Sequence, residues 1–573
     1  MASFVSSILM FASLVVPSAF NHANNLPRIT TKKAVGAGDQ TLRIMNVQDY
    51  IYVQDPEDPE SLPDLVDQFK EYARKAGYQN VSVEYKTTDT PESMFNEVKL
   101  APNNFDLICP SDYMIQKLIS NDMIQPMLVD EDHIPNYMNY ASKHIKERLD
   151  NIAAVKGTET CYLKDYAVGY MWGTLGLLFD PSYGGRDPEL TIDDMQEWGA
   201  LWNADYKGIS SIKDSVRDTY AIGLLYTYEY DFEEKDGTVT EGFRTLMNKH
   251  EDGTYDDETF NEKFSDLFNR CDDETLSEVE KSLNSLKGNV FGMEVDSGKQ
   301  DIITGKIGVN FAWSGDAVYS MEQALNEKGL ELYYSIPNTG SNLWMDAWCM
   351  PKSSTRSAAQ EELAYLFLDF LSDPEYTAQN MEYTGYTPFT AGNEILELTR
   401  EWYDWRYDEE AEEQDYSLLT DEEVQENELQ KIDLSYFFEG TLTDEDGNPL
   451  GEDETKENCI FYSDSYLPYA ETDDEGNIIN SEDSNIAVGM DFFCQFPDEY
   501  TLTRCAVMRD FGAQNDSVLK MWERFKSNAL PVWATVVFIV EIVLALGLVG
   551  YFFIGNRIKH NLRKKRKEQT NKK

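Results

Sequence analysis

The amino-acid sequence predicts an α/β fold in which helices cover a mainly parallel sheet. Between residues 41 and 127 the hydrophobic pattern alternates in the order β-α-β-α-β, and a similar alternation resumes after Ala167. This order is typical of parallel strands joined by helical crossovers. The chain has 573 residues, which is too many for a single small core, so two or more lobes are expected.

The first elements follow from the spacing of apolar residues. Residues 41–46 and 81–85 have the character of strands, whereas 61–76 and 90–100 have the character of helices. In 61–76 the apolar residues fall on one face of a helix: Leu62, Leu65, Val66, Phe69 and Tyr72. The alternation therefore begins close to residue 41.

The segment 105–127 is the most informative part of the chain. Residues 105–109 form a short apolar run suited to a buried parallel strand, and Pro110 ends it. Ser111 or Asp112 can cap the helix that follows. Because ligands of open α/β sheets bind at the carboxyl ends of strands, the polar residues of this turn are candidate ligand contacts. The alternative is an ordinary capped helix.

Two acidic regions interrupt the later part of the pattern. They span 228–280 and 401–483, and we interpret both as solvated surface insertions. Around them the spacing predicts strands or buried apolar runs at 168–179 and 306–312 and helices at 192–202, 218–226, 315–326 and 358–371, with a further helix starting at Asp373-Pro374-Glu375.

The charge of the chain excludes one class of partner. The formal net charge is -54, from 103 acidic and 49 basic residues. Nucleic acid is therefore not expected as a partner, because phosphate binding requires a basic face. A cation fits this charge better as a ligand, although acidic surfaces also serve solubility alone.

Residues 531–554 are predicted to form a transmembrane helix. The segment has about the 20 apolar residues that a membrane span requires, and the basic tail 555–573 follows it. The positive-inside rule places this tail in the cytoplasm and the preceding chain outside the cell, as a single-pass anchor in the cell membrane. Glu541 lies within the span, where it either pairs with another transmembrane subunit or is tolerated in its protonated form.

The other end of the chain is also apolar. Residues 1–25 contain an apolar stretch that ends in small residues and lacks a preceding Lys or Arg. We expect a signal peptide or an N-terminal anchor, and a remnant of an upstream membrane domain is a third alternative. All three agree with an external middle region.

Motifs for metal or nucleotide chemistry are not found in the sequence. The seven cysteines are dispersed without a C-x-x-C pair, the five histidines have no metal-ligand spacing, and there is no P-loop. Pairing of Cys494 with Cys505 stays open, as does a hydrolase, because carboxylate pairs leave no local signature. Residues 471–482 have the spacing of a calcium loop, with a hairpin turn as the favoured alternative.

Aromatic residues next to acids recur near the ends of predicted strands. Trp313 precedes Asp316 by three residues, Trp344 precedes Asp346 by two, and Asp49 is followed by Tyr50. An aromatic face attracts an ammonium group by about 0.5–2 kcal/mol, and a buried carboxylate adds a charge-assisted hydrogen bond. Such a combination suits a flexible amine, although each Trp alone is more often a core residue.

Seven segments together carry a resemblance to a known family. They are FDLICPSDY (105–113), YMWGTLGLLFD (170–180), WGALWNADYKG (198–208), DSVRD (214–218), GKIGVNFAWSGDA (305–317), LWMDAWCMP (343–351) and GYTPF (385–389). In these segments the chain resembles the bacterial spermidine/putrescine-binding proteins, the extracytoplasmic receptors of polyamine ABC importers. The resemblance runs in pieces from residue 42 to residue 527.

The resemblance implies a two-lobed, type II periplasmic-binding-protein fold that closes on its ligand by a hinge. By position, lobe 1 comprises 41–165 and 335–400, and lobe 2 comprises 166–334 with the insertion 228–280. Residues 484–528 form a C-terminal helical part of the binding domain. The implied ligand-binding residues are Tyr50, Ser111, Tyr113, Asp218, Trp313, Trp344 and Asp346.

Each of these residues takes a role from its position in the family pattern. Ser111 and Tyr113 hydrogen-bond to the ligand and line the cleft, and Tyr50 matches a cleft tyrosine of the first loop. Asp218 falls where the family has an acidic residue on an amine. The two tryptophans stack on the methylene chain, and Asp346 pairs with an ammonium group.

The chain departs from the family pattern at a few positions. Val47-Gln48 stands where Trp-Thr is common, Ser215 where Asp is frequent, Phe496 replaces a Tyr and Met508 a Gln. The loss of an aromatic wall and a carboxylate suits a shorter or less charged ligand.

We therefore expect a membrane-anchored extracellular receptor that binds putrescine or spermidine. It would deliver the polyamine to the permease of an ABC importer and, through the permease, to its ATPase. No reaction, metal or cofactor is implied. Two alternatives stay open: a receptor for another small solute such as a quaternary amine or a small peptide, and a surface enzyme or adhesin that uses 401–483.

Overall fold

The structure, a computed structural model, describes residues 39–527 apart from 57, 59–60, 186–189, 412–413 and 480–485. The chain divides into two units, residues 1–518 and 519–573. The elements that form the site belong to the first unit, and only 519–527 of the second unit are described. The predicted signal or anchor at 1–25, the transmembrane helix at 531–554 and the tail at 555–573 lie outside the described residues.

The described residues form 19 strands and 21 α-helices, which confirms a mixed α/β fold. The strands, β1 to β19 in chain order, are Gln40–Val47, Val81–Thr88, Leu107–Ile108, Ile124–Gln125, Ala153–Lys156, Glu159–Tyr162, Ala167–Phe179, Ser210–Lys213, Phe232–Glu233, Val239–Thr240, Gly292–Glu294, Val309–Trp313, Tyr333–Ser335, Ser341–Pro351, Thr387–Pro388, Gln430–Asp433, Ile460–Ser463, Val488–Gly489 and Cys505–Ala506.

The helices, α1 to α21 in chain order, are Leu65–Lys75, Pro91–Leu100, Asp112–Ser120, Pro135–Tyr140, Lys143–Asp150, Ile192–Met195, Val216–Thr227, Phe243–Glu251, Asp257–Phe268, Asp273–Lys287, Gly298–Ile303, Ser314–Lys328, Ala358–Leu371, Pro374–Thr384, Asn393–Tyr403, Asp421–Glu426, Ser435–Phe438, Glu452–Asn458, Asp491–Gln495, Glu499–Thr503 and Asn515–Lys526.

Eight strands form the path of the main sheet, in the order β11-β8-β12-β7-β14-β3-β1-β2. At one end β1 runs parallel to both β2 and β3, and at the other end β8 runs parallel to both β11 and β12. The long strands β7 and β14 lie between these groups and are antiparallel to each other. They join the groups by antiparallel pairing, β14 with β3 and β7 with β12.

The prediction of a mainly parallel sheet is therefore wrong for its centre. All 13 residues of β7 are buried. A strand buried on both faces reads as a continuous apolar run whether its neighbours are parallel or antiparallel, so the sequence pattern does not report its direction. Along this path of eight strands, parallel pairing holds only in the two outer groups, while β19, outside the path, runs parallel to β14.

Local signals account for several helix boundaries. Helix α13 has the predicted bounds and begins with a capping box at Ser357 and Gln360. Helix α14 begins at Pro374 after Asp373, whose carboxylate accepts a hydrogen bond from the N–H of Glu375. In contrast, the helix predicted at 192–202 is broken, because α6 ends at Met195 and a 3₁₀ turn follows at Trp198–Trp202.

The acidic region 228–280 is a packed part of the fold rather than a solvated insertion. Helices α8 and α9 bury Phe243, Phe260 and Phe264, and α10 packs against α7. The acidic residues occupy the outer faces of amphipathic helices. The density of charge in the sequence does not distinguish such packed helices from a solvated insertion.

The second acidic region, 401–483, contains its own antiparallel pair of strands, β16 with β17. A small core covers this pair: Val424, Leu429, Ile460 and Tyr462, with Leu419 against it. Residues 480–482 of the predicted calcium spacing lie outside the described residues, and its part 471–479 forms a hairpin turn in which Asp473 Oδ1 accepts the N–H groups of Glu475 and Asn477. Within the described residues no group of His, Cys, Asp or Glu side chains is arranged to hold a metal ion.

Two further expectations concern the cysteines and the membrane. All seven cysteines lie in the described part of the chain, and each is a free thiol, so Cys494 and Cys505 are not paired. Across residues 39–527, outside the gaps given above, no helix has the length and apolar character that crossing a membrane requires.

Candidate functional site

The candidate site lies where the two parallel groups of strands meet over β7 and β14. The chain leaves β1 and β3 at their carboxyl ends and leads to Tyr50 and Ser111. The chain that leaves the carboxyl end of β8 leads to Asp218 in α7, and Trp313 is the last residue of β12. Both sets of strand ends converge near the middle of β14, where Asp346 lies. This is the crevice in which open α/β sheets bind ligands.

Asp346 is the centre of the site. It lies at an irregularity in the pairing of β14 with β7, and its backbone also bridges to Ser111. The Tyr50 hydroxyl donates to Asp346 Oδ2 at 2.9 Å. The other oxygen, Oδ1, is buried without a hydrogen bond.

The charged state of Asp346 is costly in this environment. Burial raises its pKa to about 6, and the nearby hydroxyl groups of Ser111 and Tyr50 only partly oppose the rise. Neither a lysine nor an arginine of the described residues forms an ion pair with this carboxylate. The negative charge of Asp346 is therefore not balanced by an ion pair with any described residue.

Aromatic rings surround this carboxylate. The Tyr50 ring makes edge contacts with Tyr170 and Tyr386, with centroids 5.3 and 5.2 Å apart, and Trp344 makes a similar contact with Tyr386 at 5.5 Å. The indole of Trp344 is fixed because its Nε1 donates to the Thr174 carbonyl at 3.1 Å. The rings thus form a rigid apolar frame beside a carboxylate.

The close approach of Trp344 to β7 depends on Gly173. A Cβ atom at residue 173 would lie 2.5 Å from the Trp344 ring and 2.3 Å from Ser314 Oγ. No larger residue fits this position without displacing the indole. The absence of a side chain at residue 173 of β7 therefore allows the Trp344 ring to lie directly against this strand.

Asp218 is the second carboxylate of the site. It lies in the first turn of α7, which packs against β14, and it is buried. Burial raises its pKa to about 6, and the charges of Glu92 and Asp346 contribute to the rise. In the described part of the chain Asp218 has no ion-pair partner, so the site holds two carboxylates without bonded counter-ions.

Tyr113 is positioned differently from the expectation. Its hydroxyl donates to Glu92 at 3.4 Å, and the Arg217 guanidinium lies over its ring at 4.5 Å. The side chain is buried and borders the acidic side of the site, but one ring face is already occupied. Ser111 lies at the N-cap of α3 without capping it through its side chain.

Trp313 also has an occupied face. The ammonium group of Lys213 lies over its ring, 4.1 Å from the centroid. Lys213 ends β8, and the same ammonium is 3.1 Å from Asp316 Oδ2. Trp313 is thus linked to the rest of the site through Asp316, whose Oδ1 accepts from the Tyr386 hydroxyl at 2.9 Å.

The structure resolves the roles of several other residues. Asp112 does not cap α3; its Oδ2 accepts from the Met345 N–H at 3.0 Å and so ties the helix to β14. Ser215, at a departure from the family pattern, caps α7 by accepting from the Asp218 N–H. Phe496 and Met508 are buried core residues.

Three site residues were missed by the sequence reasoning. Tyr386 was within the segment 385–389, and Asp316 was noted beside Trp313, but neither was assigned to the site. Lys213 gave no signal, because a lysine at the end of a predicted strand is ordinary. Its partners Glu294 and Asp316 are distant in sequence.

The arrangement offers binding rather than bond making. Two carboxylates without ion-pair partners, set against fixed rings, favour an organic cation, which gains from charge-assisted hydrogen bonds and from the ring faces. The seven expected residues are brought to one region, with Tyr113 and Trp313 at its edges.

Comparison with known proteins identifies relatives of this chain. A family model described as bacterial extracellular solute-binding protein matches residues 64–394, more than half of the chain. The putrescine-binding periplasmic protein PotF of Escherichia coli is 22% identical over 358 residues, which are 61% of this chain and 78% of that protein. The corresponding SpuD protein of Pseudomonas aeruginosa is 23% identical over 366 residues, covering 63% and 80%.

Among solved structures, the spermidine/putrescine substrate-binding protein PotD of Streptococcus pneumoniae has 25% sequence identity and a TM-score of 0.41. The match covers 63% of this chain and 85% of that one. The matched family model and the two curated relatives are described as solute-binding or putrescine-binding proteins, and none of these descriptions names an enzyme.

Proposed function

This chain belongs to the family of bacterial extracellular solute-binding proteins, and we propose that its solute is a polyamine. The proposal is supported by relatives whose names specify putrescine. It is also supported by the acidic character of the candidate site. The single observation that carries it is the buried Oδ1 of Asp346, which has no hydrogen bond inside a frame of aromatic rings.

A bound ammonium group would donate the hydrogen bond that Asp346 Oδ1 lacks. An unpaired buried carboxylate oxygen is costly, and a hydrogen bond to a charged group contributes about 1.5–3 kcal/mol. The neighbouring rings add about 0.5–2 kcal/mol for each cation–π contact. The methylene chain of the amine would lie against Trp344 and Tyr50, where it is removed from water.

Isothermal titration calorimetry with putrescine, spermidine and spermine tests the proposal. We expect binding heat for at least one of them, and its loss in D346N. D369N is the matched control, because Asp369 is a carboxylate on α13 whose pKa burial also raises to about 6, and Asn136 and Tyr72 bond it there. Unchanged affinity in D346N, or no heat with any of the three amines, would refute a polyamine site centred on Asp346.

We further propose that the chain delivers its solute to the permease of an ABC importer from a membrane anchor. The support is the apolar segment 531–554 with the basic tail after it, together with the family membership. Residues 26–528 behind a cleavable signal peptide should appear in the medium or periplasm, whereas residues 26–573 behind the same signal peptide should sediment with membranes. Equal release of both chains would contradict the anchor.

Contact between the anchor and the permease is a separate proposal that concerns Glu541. A carboxylate within an apolar span favours a polar partner in the same membrane. We expect E541Q to reduce polyamine uptake by intact cells without changing the affinity of the binding domain. Normal uptake by E541Q cells would count against this contact.

A further inference from the structure

The side chain of Lys213 belongs to the part of the site that contains Asp316 and Trp313. Its ammonium group donates to Asp316 Oδ2 at 3.1 Å and to the Val295 carbonyl at 3.2 Å, and it contacts Glu294 Oε1 at 3.1 Å. It also lies over the face of Trp313 at 4.1 Å. Only 1% of the side chain is exposed. This lysine therefore has the surroundings that a bound organic ammonium group would need.

The carboxylate of Asp316 is fully compensated at this end. It is 3.1 Å from Lys213 and 3.6 Å from Lys299, and it accepts from the Tyr386 hydroxyl at 2.9 Å. Burial opposes its ionisation, but the two lysines and Tyr386 outweigh burial and lower its pKa. Asp316 thus stays charged without any ligand.

The two ends of the site are connected but differ in charge. Tyr386 bonds Asp316 through its hydroxyl, while its ring contacts Tyr50, and Tyr50 in turn bonds Asp346. At the Asp346 end, neither Asp346 nor Asp218 has an ion-pair partner among the described residues. The acceptors for a foreign cation are therefore concentrated at one end.

We propose that the Lys213 ammonium group permanently occupies one of two cation positions in the site, so that the bound solute needs only one cationic end. This inference rests on the proposed function, and it specifies which kind of amine the site prefers. A second ammonium on the solute would meet a carboxylate and an aromatic face that are already taken.

Removing the Lys213 ammonium group should create a second position for an ammonium group of the ligand. A methionine at residue 213 has a similar length, uncovers the Trp313 face and removes the nearer of the two lysines from Asp316. The second ammonium of a diamine would then gain a charge-assisted hydrogen bond and a cation–π contact. Together these contacts correspond to an increase in affinity of about 30-fold or more.

The test compares calorimetric titrations with 1-aminobutane and putrescine, which share a four-carbon chain and differ by the second amine. For the unaltered chain we expect the two dissociation constants to agree within about threefold. For K213M we expect putrescine to bind at least about tenfold more tightly than before, with 1-aminobutane unchanged within about threefold. K306M is the control, because Lys306 is half-exposed and pairs only with Asp301 among the described residues.

Two outcomes overturn the inference alone: a preference of the unaltered chain for putrescine of about tenfold or more, or an unchanged ratio in K213M. Absence of heat with both amines in the unaltered chain overturns the proposed function and this inference together. If K213M does not fold, K213M/E294Q provides the same comparison, because it removes the lysine together with the negative charge of one of its two buried carboxylate partners. Circular dichroism verifies folding of each variant.

Discussion

Replacing Asp346 by Asn should stabilise the ligand-free protein while abolishing its response to polyamines. The carboxylate has an ordinary pKa of 3.8 and a pKa of about 6 in the folded protein, because burial penalises its charge. The folded state therefore binds more protons than the unfolded state between these values. The stabilisation that comes from protonation of Asp346 is fully present below about pH 4 and is lost as the pH rises through about 6.

The magnitude follows from the rise in pKa. A rise from 3.8 to about 6 corresponds to about 3 kcal/mol of folding free energy that is lost above pH 6. Asn avoids this cost and can keep the bond from Tyr50 through its oxygen, but its amide must find an acceptor in Ser111, which lowers the net gain to about 2 kcal/mol. At about 2.1 cal/mol/K per residue, the roughly 480 residues of 39–518 unfold with an entropy of about 1 kcal/mol/K, so Tm should rise by about 2 °C.

Thermal denaturation at pH 7.5 and pH 4 measures this effect, with and without putrescine. We expect D346N to exceed the unaltered protein in Tm at pH 7.5 and to match it at pH 4. Putrescine should raise the Tm of the unaltered protein but not that of D346N. D369N should also gain stability at pH 7.5, because its carboxylate has a similarly raised pKa, but it should retain the response to putrescine.

The reasoning fails if D346N is less stable than the unaltered protein at pH 7.5. That result would mean that the carboxylate is compensated inside the fold. An equal response of D346N and D369N to putrescine would instead mean that the raised pKa of Asp346 is unrelated to the binding of a cation.

Three further predictions address the pH dependence, the aromatic frame and the acidic helices. Below about pH 6 the affinity for polyamines should fall about tenfold per pH unit for each of the two carboxylates, because Asp218 and Asp346 must be charged to bind an ammonium group. Calorimetry at pH 7.5 and pH 5, each in two buffers, should detect proton release on binding at the lower pH. G173A should destabilise the protein by about 1–3 kcal/mol in urea denaturation, whereas G292A, in strand β11 with no atom within 4 Å of the added Cβ, should not; equal stability of the two variants would contradict the close packing of Trp344. F260A should lower the free energy of unfolding by about 3–5 kcal/mol, because Phe260 is fully buried. F291A is the control and should lower it by less than about 1 kcal/mol, because Phe291 is half-exposed. Unchanged stability in F260A would restore the interpretation of 228–280 as a solvated insertion.

Local signals in the sequence determined many elements, because caps, turns and apolar spacing act over a few residues. Thr90 caps α2 through the N–H of Ser93, and Ser357 with Gln360 begins α13 at the predicted residue. The β-α-β order of the first 127 residues and the position of Ser111 after β3 were likewise readable. The resemblance to solute-binding proteins, confirmed at the level of the family, came from segments of this kind.

The tertiary structure alone decided the antiparallel centre of the sheet and the charge balance of the site. Strand β7 is apolar throughout, so nothing in its composition reports that β14 and β12 run against it. Similarly, Tyr50 meets Asp346 across 296 residues, and Lys213 meets Asp316 across 103. Pairing of charges at such separations depends on how the strands are ordered in the sheet, which leaves Asp346 without a counter-ion while Asp316 receives two. Residue types can therefore indicate an amine site, but only the packed sheet determines which carboxylates remain available to a ligand.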